Sequence, residues 1–264
     1  MIQIFEEKNM SYFINKNITF IIQARVGSSR LPNKILLPFY KGKCILELLI
    51  EKLRQIEDTN IVVATSINPN NDVIETCLEK YNIPIYRGSE HDVLQRFIDA
   101  SASVGAERII RICSDNPFLE LTSIKHLINT ASTSKSDYIS YKVDGTPSIK
   151  THYGFWCEYV TRDALLRIKN RTEEKLYHEH VTNYIYTHPE LFNISWIEVS
   201  DQLKDYPNIR LTVDTAQDFE DAKSVYENLC STNPFPTIEE IIDYLNEHKN
   251  LYTLMQAQIM NNGK

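Results

Sequence analysis

The stretch IIQARVGSSRLPNKILL, Ile21 to Leu37, decides how the rest of the chain is interpreted. It begins within an apolar run, ITFII (18–22), which predicts a buried strand. The strand opens into a polar loop that holds one glycine, two serines and three cations, Arg25, Arg30 and Lys34. A buried strand that opens into a small basic loop is typical of polyphosphate sites in α/β proteins. The loop is neither a P-loop nor a GxGxxG motif, so on the residues alone a solvated surface loop stays open as the alternative.

Composition limits the class of protein. The 264 residues are 42% hydrophobic and 24% charged, which is ordinary for a globular chain of one large α/β domain. The net charge of −7 argues against a general surface for nucleic acid or anionic membrane, and no apolar run approaches the about 18 residues of a membrane span. Five scattered cysteines without a CxxC pair predict reduced thiols and a cytoplasmic protein. Residues 1–17 lack a basic segment followed by an apolar one, so we expect an N-terminal extension rather than a secretory signal.

The first 120 residues alternate between strand and helix patterns, which predicts a mostly parallel sheet covered by helices on both faces. The predicted strands are 18–22, 61–65, 83–88 and 109–113, and the predicted helices are 45–56, 72–81 and 89–103, the last with Ser89 as its N-cap.

The second half of the chain is less regular. Its predicted helices are 121–132, 173–188, 215–229 and 236–248, and its predicted strands are 137–141, 192–199 and 208–214. Residues 144–159 fit no period and are interpreted as an excursion that covers the site. We predict one domain over 18–250, with an inserted acceptor-site segment at about 142–200 and a C-terminal tail at 251–264.

Three polar loops follow predicted strand ends: Arg25–Lys34, Ser66–Asn71 and Ser114–Pro117. Because ligands of parallel sheets bind beyond the carboxyl ends of the strands, these loops are expected to converge. Asp115 and Asp214 each follow an apolar strand pattern, and two neighbouring carboxylates with phosphate oxygens would suit Mg²⁺. The alternative is that the two aspartates only form a turn and a helix cap.

Two aromatic segments carry the remaining polar chemistry, HYGFWCE (152–158) and YHEHVTNY (177–184). His178 and His180 are alternate residues of a predicted helix and do not share a face, which disfavours zinc. Aromatics interspersed with His and Glu suit a polar, sugar-like acceptor. A partly buried aromatic cluster is the alternative.

The motif QARVGSSRLPNK resembles the QARxGSxRLPxK signature of the cytidylyltransferases that activate acidic sugars. The branch named after the spore coat polysaccharide biosynthesis protein SpsF is similar over 18–248 through the further landmarks IVVATS, YRGSEHDVLQRF, RICSDNPF, YHEHVTNYIYTHPE and RLTVDTAQDFE. The family usually has Gly before its first metal-binding Asp, whereas this chain has Ser114.

The resemblance implies a Rossmann-like three-layer nucleotidyltransferase fold, with a mostly parallel sheet and an inserted segment for the acceptor and for dimerisation. It implies transfer of CMP from CTP to an acidic sugar or a sugar or polyol phosphate, with Mg²⁺ as cofactor and a homodimer. The expectation of no nucleic-acid or membrane partner comes from the net charge and the lack of a long apolar run. A glycosyltransferase of similar fold and an inactive nucleotide-binding relative are the alternatives.

The predicted site residues fall into four groups. The predicted catalytic residues are Arg25, Lys34, Asp115 and Asp214, of which Asp115 and Asp214 are also the metal ligands. The predicted nucleotide-binding residues are Gln23, Ala24, Arg25, Gly27, Ser28, Ser29, Arg30, Lys34, Ser66, Asp92 and Asp115. The predicted acceptor-binding residues are His152, Glu158, His178, Glu179, His180 and Arg210.

Overall fold

A computed structural model describes residues 18–262. The predicted N-terminal extension lies outside the described residues, as do the last two residues of the predicted tail. The strands are β1 Ile18–Gln23, β2 Pro38–Tyr40, β3 Lys43–Cys44, β4 Thr59–Ser66, β5 Ile85–Gly88, β6 Arg108–Cys113, β7 Tyr138–Val143, β8 Thr146–Pro147, β9 Glu158–Thr161 and β10 Ile194–Glu198. The α-helices are α1 Ile45–Leu53, α2 Asp72–Leu78, α3 Val93–Ser103, α4 Leu121–Thr133, α5 Arg162–Lys169, α6 Lys175–Glu179, α7 Asn183–Thr187, α8 Asp201–Lys204, α9 Ala216–Leu229, α10 Ile238–Glu247 and α11 Lys249–Asn261.

One sheet carries the site. Its strand order is β10-β7-β9-β6-β1-β4-β5, with β8 paired to β7. Strand β1 lies between β6 and β4 and is parallel to both, and β4 is parallel to β5. Strand β9 is antiparallel to its neighbours β6 and β7. The predicted α/β architecture with a mostly parallel sheet is confirmed.

The apolar β1 segment is buried on both faces of this sheet. Phe20 and Ile22 belong to one hydrophobic cluster, with residues of α1, α4 and α9. Ile21 points to the opposite face and belongs to a second cluster, with residues of α3 and α5. Successive side chains of a strand alternate between faces, so a strand whose side chains are buried on both faces requires helices on both sides. The result is a three-layer arrangement.

Two predicted helices differ from the observed ones. The cap of α3 is Asp92 rather than Ser89, because the Asp92 carboxylate accepts the Gln95 N–H at 2.8 Å. Ser89 Oγ instead accepts the Asp92 N–H at 3.0 Å, one turn earlier. The single helix predicted over 173–188 is two short helices, α6 and α7, separated at 180–182. His180 therefore lies outside both helices.

The strand predicted over 208–214 is not a strand. This segment is buried, and its N–H groups bond to loops instead: Leu211 N–H donates to His152 O at 2.9 Å and Val213 N–H to Asp115 O at 2.9 Å. Gly154 allows this approach, because it adopts φ +74° and a Cβ there would lie 3.1 Å from the Leu211 backbone. The backbone of this apolar run is therefore hydrogen-bonded to loops rather than to a neighbouring strand.

The predicted inserted segment and tail are integrated into the fold. The predicted excursion 144–159 ends in β9, which lies inside the main sheet between β6 and β7. Strand β10 from the same segment forms the sheet edge beside β7. Within the predicted tail, α11 packs against the core through the buried Met255. No helix within 18–262 combines the length and the apolar character that crossing a bilayer requires.

Candidate active site

The loop after β1 folds into a compact turn. Val26 O accepts the N–H groups of Ser28 at 2.9 Å and of Asn33 at 3.0 Å. Asn33 takes the left-handed conformation with φ 59°, which Asn tolerates better than most residues. Leu36 N–H then donates to Asn33 O at 2.8 Å. The loop therefore has a defined shape from its own backbone bonds.

Asn71 fixes this loop to the loop after β4. Its Oδ1 accepts the Val26 N–H at 2.9 Å, and its Nδ2 donates to Ser66 Oγ at 2.7 Å. Ser66, predicted to bind nucleotide, is fully buried and supports Asn71 instead. The predicted convergence of the two loops is confirmed. Asn71 was not among the predicted site residues, although the run NPNND after a buried strand was an available signal.

The loop faces a cavity of about 520 Å³. A Cβ placed on Gly27 would meet no heavy atom within 4 Å, so packing within the described protein does not require glycine there. The lining residues are Gln23, Arg25, Gly27, Ser28, Ser29, Arg30, Lys34, Ile35, Arg111, Cys113, Ser114, Asp115, His180 and Asp214. Most of the predicted nucleotide-binding residues thus share one polar, cationic cavity.

Lys34 joins the two predicted metal ligands. Its Nζ lies 2.9 Å from Asp115 Oδ2 and 3.5 Å from Asp214 Oδ1, although the aspartates are about a hundred residues apart in the chain. Val213 O accepts a further bond from Nζ at 2.6 Å. Arg30 also contacts Asp214 Oδ1, at 3.0 Å. The fold therefore brings together one carboxylate that follows strand β6 and one that follows the buried segment 209–213.

The turn that carries Asp115 is held from beneath. Ser114 Oγ donates to Gln23 O at 2.6 Å, which links the turn to the end of β1. The buried Lys52 of α1 donates to Pro117 O and Leu119 O, both at 2.9 Å. Burial lowers the pKa of the Lys52 ammonium to about 8. A serine before the aspartate thus serves as a hydrogen-bonded anchor.

Arg210 and Asp218 hold the turn that carries Asp214. The guanidinium donates to both oxygens of Asp218, at 2.6 and 2.8 Å. Asp218 Oδ2 in turn accepts the N–H groups of Asp214 at 3.0 Å and Thr215 at 2.9 Å. Burial opposes ionisation of Asp218, but the Arg210 bonds outweigh it and lower its pKa.

This places two predicted acceptor residues behind the site. Arg210 is fully buried, and its Nη1 lies 2.8 Å from His152 Nδ1. Neither residue lines the cavity. They support the Asp214 turn.

Two other predicted ligands, His178 and Asp92, are bonded to each other outside the cavity. His178 is buried and bonds to Asp92 at 2.8 Å and to Thr172 O at 2.9 Å. Asp92, predicted to bind nucleotide, also accepts from Lys169 at 3.0 Å. Burial opposes the charge of Asp92, but hydrogen bonds from Gln95, His178 and Lys169 lower its pKa. This cluster joins α3, α5 and α6 and lies outside the lining of the cavity.

Glu158 is likewise structural. It is 2% exposed on β9 and pairs with Arg111 Nη1 at 2.5 Å. Tyr138 and Thr182 also donate to its carboxylate. Arg111 Nη2 donates to Gln23 Oε1 at 3.2 Å, so the pair orients a cavity residue. Arg111 was not among the predicted site residues, although a cation inside the apolar run IIRIC requires a buried partner.

A second cavity, of about 600 Å³, adjoins the first. Both are lined by Arg30, Arg111, Cys113, Asp115, His180 and Asp214. The second is further lined by Asn116, Ile149, Lys150, Leu176, Thr182, Asn183, Tyr186 and Thr212. Among the predicted acceptor residues, His180 lines both cavities, whereas the exposed Glu179 lies 3.9 Å from Arg25. The two aspartates therefore lie at the boundary between two adjoining spaces.

The second cavity has unsatisfied polar groups in its wall. Asn116 Oδ1, Asn183 Oδ1 and Thr212 Oγ1 are buried and have no hydrogen-bond partner within residues 18–262. Lys150 is exposed at the rim, with its Nζ 4.9 Å from the centre of the Tyr186 ring. Buried polar groups are normally paired, so three unpaired polar atoms in residues that line one cavity are unusual.

The donor set at the boundary fits a hard divalent cation. Asp115 Oδ2, Asp214 Oδ1 and Val213 O all lie within 3.5 Å of one point, the Lys34 nitrogen. Two carboxylates and a carbonyl are oxygen ligands of the kind that Mg²⁺ takes together with water and phosphate oxygens. No soft sulfur or imidazole ligand belongs to this set.

One protein family and several known proteins are similar to the chain. A family model described as cytidylyltransferase matches residues 19–253. The spore coat polysaccharide biosynthesis protein SpsF of Bacillus subtilis is 33% identical over 247 residues, which cover 91% of this chain and 99% of that protein.

Two solved structures share the fold. A cytidylyltransferase from Leptospira borgpetersenii superposes with a TM-score of 0.77 at 23% identity, covering 90% of this chain and 97% of that one. A CMP-2-keto-3-deoxy-manno-octonic acid synthetase complexed with CTP superposes with a TM-score of 0.60 at 16% identity, covering 80% and 98%. Both likenesses concern the fold alone.

Proposed function

The chain belongs to the cytidylyltransferase family, and we propose that it transfers CMP from CTP to a sugar-like acceptor with release of pyrophosphate. The observation that carries the proposal is the boundary position of Asp115 and Asp214. One adjoining cavity is lined by the basic loop, and the other by unsatisfied polar groups. A group that is transferred from one substrate to the other has to cross the boundary between the two cavities that bind them.

The donor side takes the triphosphate. Arg25, Arg30 and Lys34 line the first cavity together with the small residues of the loop. Guanidinium and ammonium groups bind phosphate oxygens through charge-assisted hydrogen bonds. In the proposed reaction an acceptor hydroxyl gives its proton to water, its oxygen bonds to the α-phosphorus of CTP, and the bond from that phosphorus to the pyrophosphate oxygen breaks. The three cations stabilise the negative charge that grows on the leaving pyrophosphate.

Asp115 and Asp214 would hold Mg²⁺, which supplies neutralisation of phosphate charge when it is bound. The chain's own contribution is positioning. Lys52 and Ser114 hold the Asp115 turn, and Arg210 with Asp218 holds the Asp214 turn. Turns fixed in this way keep both carboxylates in place without reorganisation during the reaction.

The acceptor side takes a hydroxyl-rich molecule with an anionic group. Amide oxygens of Asn116 and Asn183 require hydrogen-bond donors, which sugar hydroxyls supply. Lys150 at the rim offers a cation to a carboxylate or a phosphate. The relation to a spore coat polysaccharide biosynthesis protein supports a role in surface glycan synthesis. The proposal also includes Mg²⁺ as the cofactor and a homodimer as the assembly. The five free cysteines support a cytoplasmic location, because thiols stay reduced there.

The test is a pyrophosphate-release assay with CTP, Mg²⁺ and a panel of acidic sugars and of sugar and polyol phosphates. We expect release that requires CTP, the metal and one member of the panel. Release of a nucleoside diphosphate from a nucleotide sugar would instead support a glycosyltransferase. Calorimetry that detects CTP binding without turnover on any acceptor would support an inactive relative.

The loop glycine gives a sharper test of the donor side. Gly27→Ala is expected to weaken CTP binding by about tenfold or more, because the added methyl enters the space beside the phosphates rather than the protein. Unfolding free energy is expected to change by less than about 0.5 kcal/mol. Calorimetry and urea denaturation measure the two effects. Gly105→Ala, at a left-handed glycine (φ +64°) that lines neither cavity, is the control and is expected to lower stability while CTP binding is kept.

A further inference from the structure

The Lys34 ammonium is hydrogen-bonded to three oxygens of the candidate metal site. It contacts Asp115 Oδ2 at 2.9 Å, Val213 O at 2.6 Å and Asp214 Oδ1 at 3.5 Å. An ammonium has three N–H donors, so each has one acceptor here. The side chain is 12% exposed, which limits its screening by water. Lys34 therefore acts as a counterion to both carboxylates.

A divalent cation and this ammonium compete for the same oxygens. Mg²⁺ binds its oxygen ligands at about 2.0–2.1 Å, which would bring it within a few ångströms of Nζ. Positive charges this close repel each other strongly at a partly buried site, and a divalent ion doubles the product of charges. Lys34 must consequently leave these oxygens before the cation can use them.

The loop offers Lys34 another position. Lys34 belongs to the same loop as Gly27 and Ser28, and it lines the same cavity. A triphosphate in that cavity presents several anionic oxygens. The lysine side chain has a flexible four-carbon stem, so its ammonium can move between nearby acceptors while the backbone stays in place.

We propose that Lys34 is an exchangeable counterion that couples metal binding to nucleotide binding. Without nucleotide it neutralises Asp115 and Asp214 and excludes a divalent cation. When the triphosphate enters, Lys34 moves to phosphate oxygens and both carboxylates become available to the metal. Each ligand then raises the affinity for the other, since such coupling is reciprocal. The inference rests on the proposed function, and it makes Lys34 a positioning residue as well as a phosphate ligand.

The test uses Mn²⁺ alone as the probe, with free Mn²⁺ followed by electron paramagnetic resonance in a titration of nucleotide-free protein. Lys34→Met is expected to raise Mn²⁺ affinity by about tenfold or more, because the ammonium that competes for both carboxylates is removed, while the carboxylates and the Arg30 contact to Asp214 stay. Lys34→Arg keeps the charge and is expected to bind Mn²⁺ as weakly as the unaltered protein. A residue that only stabilised the fold would give no gain of metal binding.

Two further variants locate the effect. Adding Asp115→Asn to Lys34→Met is expected to abolish the gain, and Lys34→Gln is expected to reproduce it with a polar side chain if the methionine variant does not fold. Unchanged Mn²⁺ affinity in folded Lys34→Met or Lys34→Gln would overturn the inference. Calorimetric titration of the unaltered protein with CTP distinguishes failure of the Lys34 inference from failure of the proposed function. Normal CTP binding with no gain in the variants rejects the Lys34 inference alone, whereas absent CTP binding rejects the proposed function.

Discussion

Asp214→Asn is expected to lower the rate of pyrophosphate release by about a thousandfold or more, since electrostatic groups at a reacting phosphate carry effects of this order. The Asp214 carboxylate lies 3.0 Å from Arg30 and 3.5 Å from Lys34, and its side chain is 14% exposed. Asparagine keeps the size of the side chain and removes the charge. The measurement is the turnover rate with CTP, Mg²⁺ and the acceptor found in the panel.

The variant needs a control for folding. The Asp214 N–H bond to Asp218 comes from the backbone and survives the substitution, so a cooperative thermal unfolding transition is expected. Asp201→Asn is the matched control, because Asp201 is 92% exposed and pairs only weakly with the exposed Lys204. It is expected to retain full activity. Turnover of Asp214→Asn within about threefold of the unaltered protein would remove Asp214 from the catalytic group.

Glu158→Ala is expected to lower the free energy of unfolding by about 3–5 kcal/mol, because it leaves the Arg111 guanidinium buried without its partner. The pair is 2.5 Å apart, with side-chain exposures of 8% for Arg111 and 3% for Glu158. The Tyr138 and Thr182 hydroxyls lose their acceptor as well. Urea denaturation measures the change.

Two comparisons show whether burial of the charge is the cause. Glu107→Gln removes an exposed ion pair with Arg162 and is expected to cost less than about 0.5 kcal/mol. The double variant Arg111→Met and Glu158→Leu removes both charges and is expected to be more stable than Glu158→Ala, because no unpaired ion stays in the interior. A loss below about 1 kcal/mol in Glu158→Ala would contradict the assignment of a buried ion pair.

Several features of the site were predictable from local pattern. The basic loop, Asp115 and Asp214 each follow an apolar segment, and the strands of a parallel sheet end at a common edge. The structure brings the three together around Lys34. The strand predicted before Asp214 was wrong, yet the carboxylate still reaches the site because the segment bonds to the Asp115 turn.

The polar residues outside this edge were not predictable in the same way. Glu158, His178 and Arg210 were predicted to bind the acceptor, and each is buried with another charged residue. Their partners Arg111 and Asp92 lie 47 and 86 residues away from Glu158 and His178. A carboxylate that binds a ligand and one that balances a buried cation look identical in a sequence, because the difference lies in the neighbours.

The sequence by itself determined the alternation of strands and helices in the first half, the basic loop and the two aspartates that follow apolar segments, since these depend on residues close together in the chain. Only the tertiary structure decided that β9 enters the sheet, that Arg210 supports Asp214, and that Lys34 is the counterion of both carboxylates. Lys34 and Asp214 are separated by 180 residues. The packing of the whole sheet determines such contacts. Electrostatic pairing acts through space, so it leaves no periodic signal along the chain.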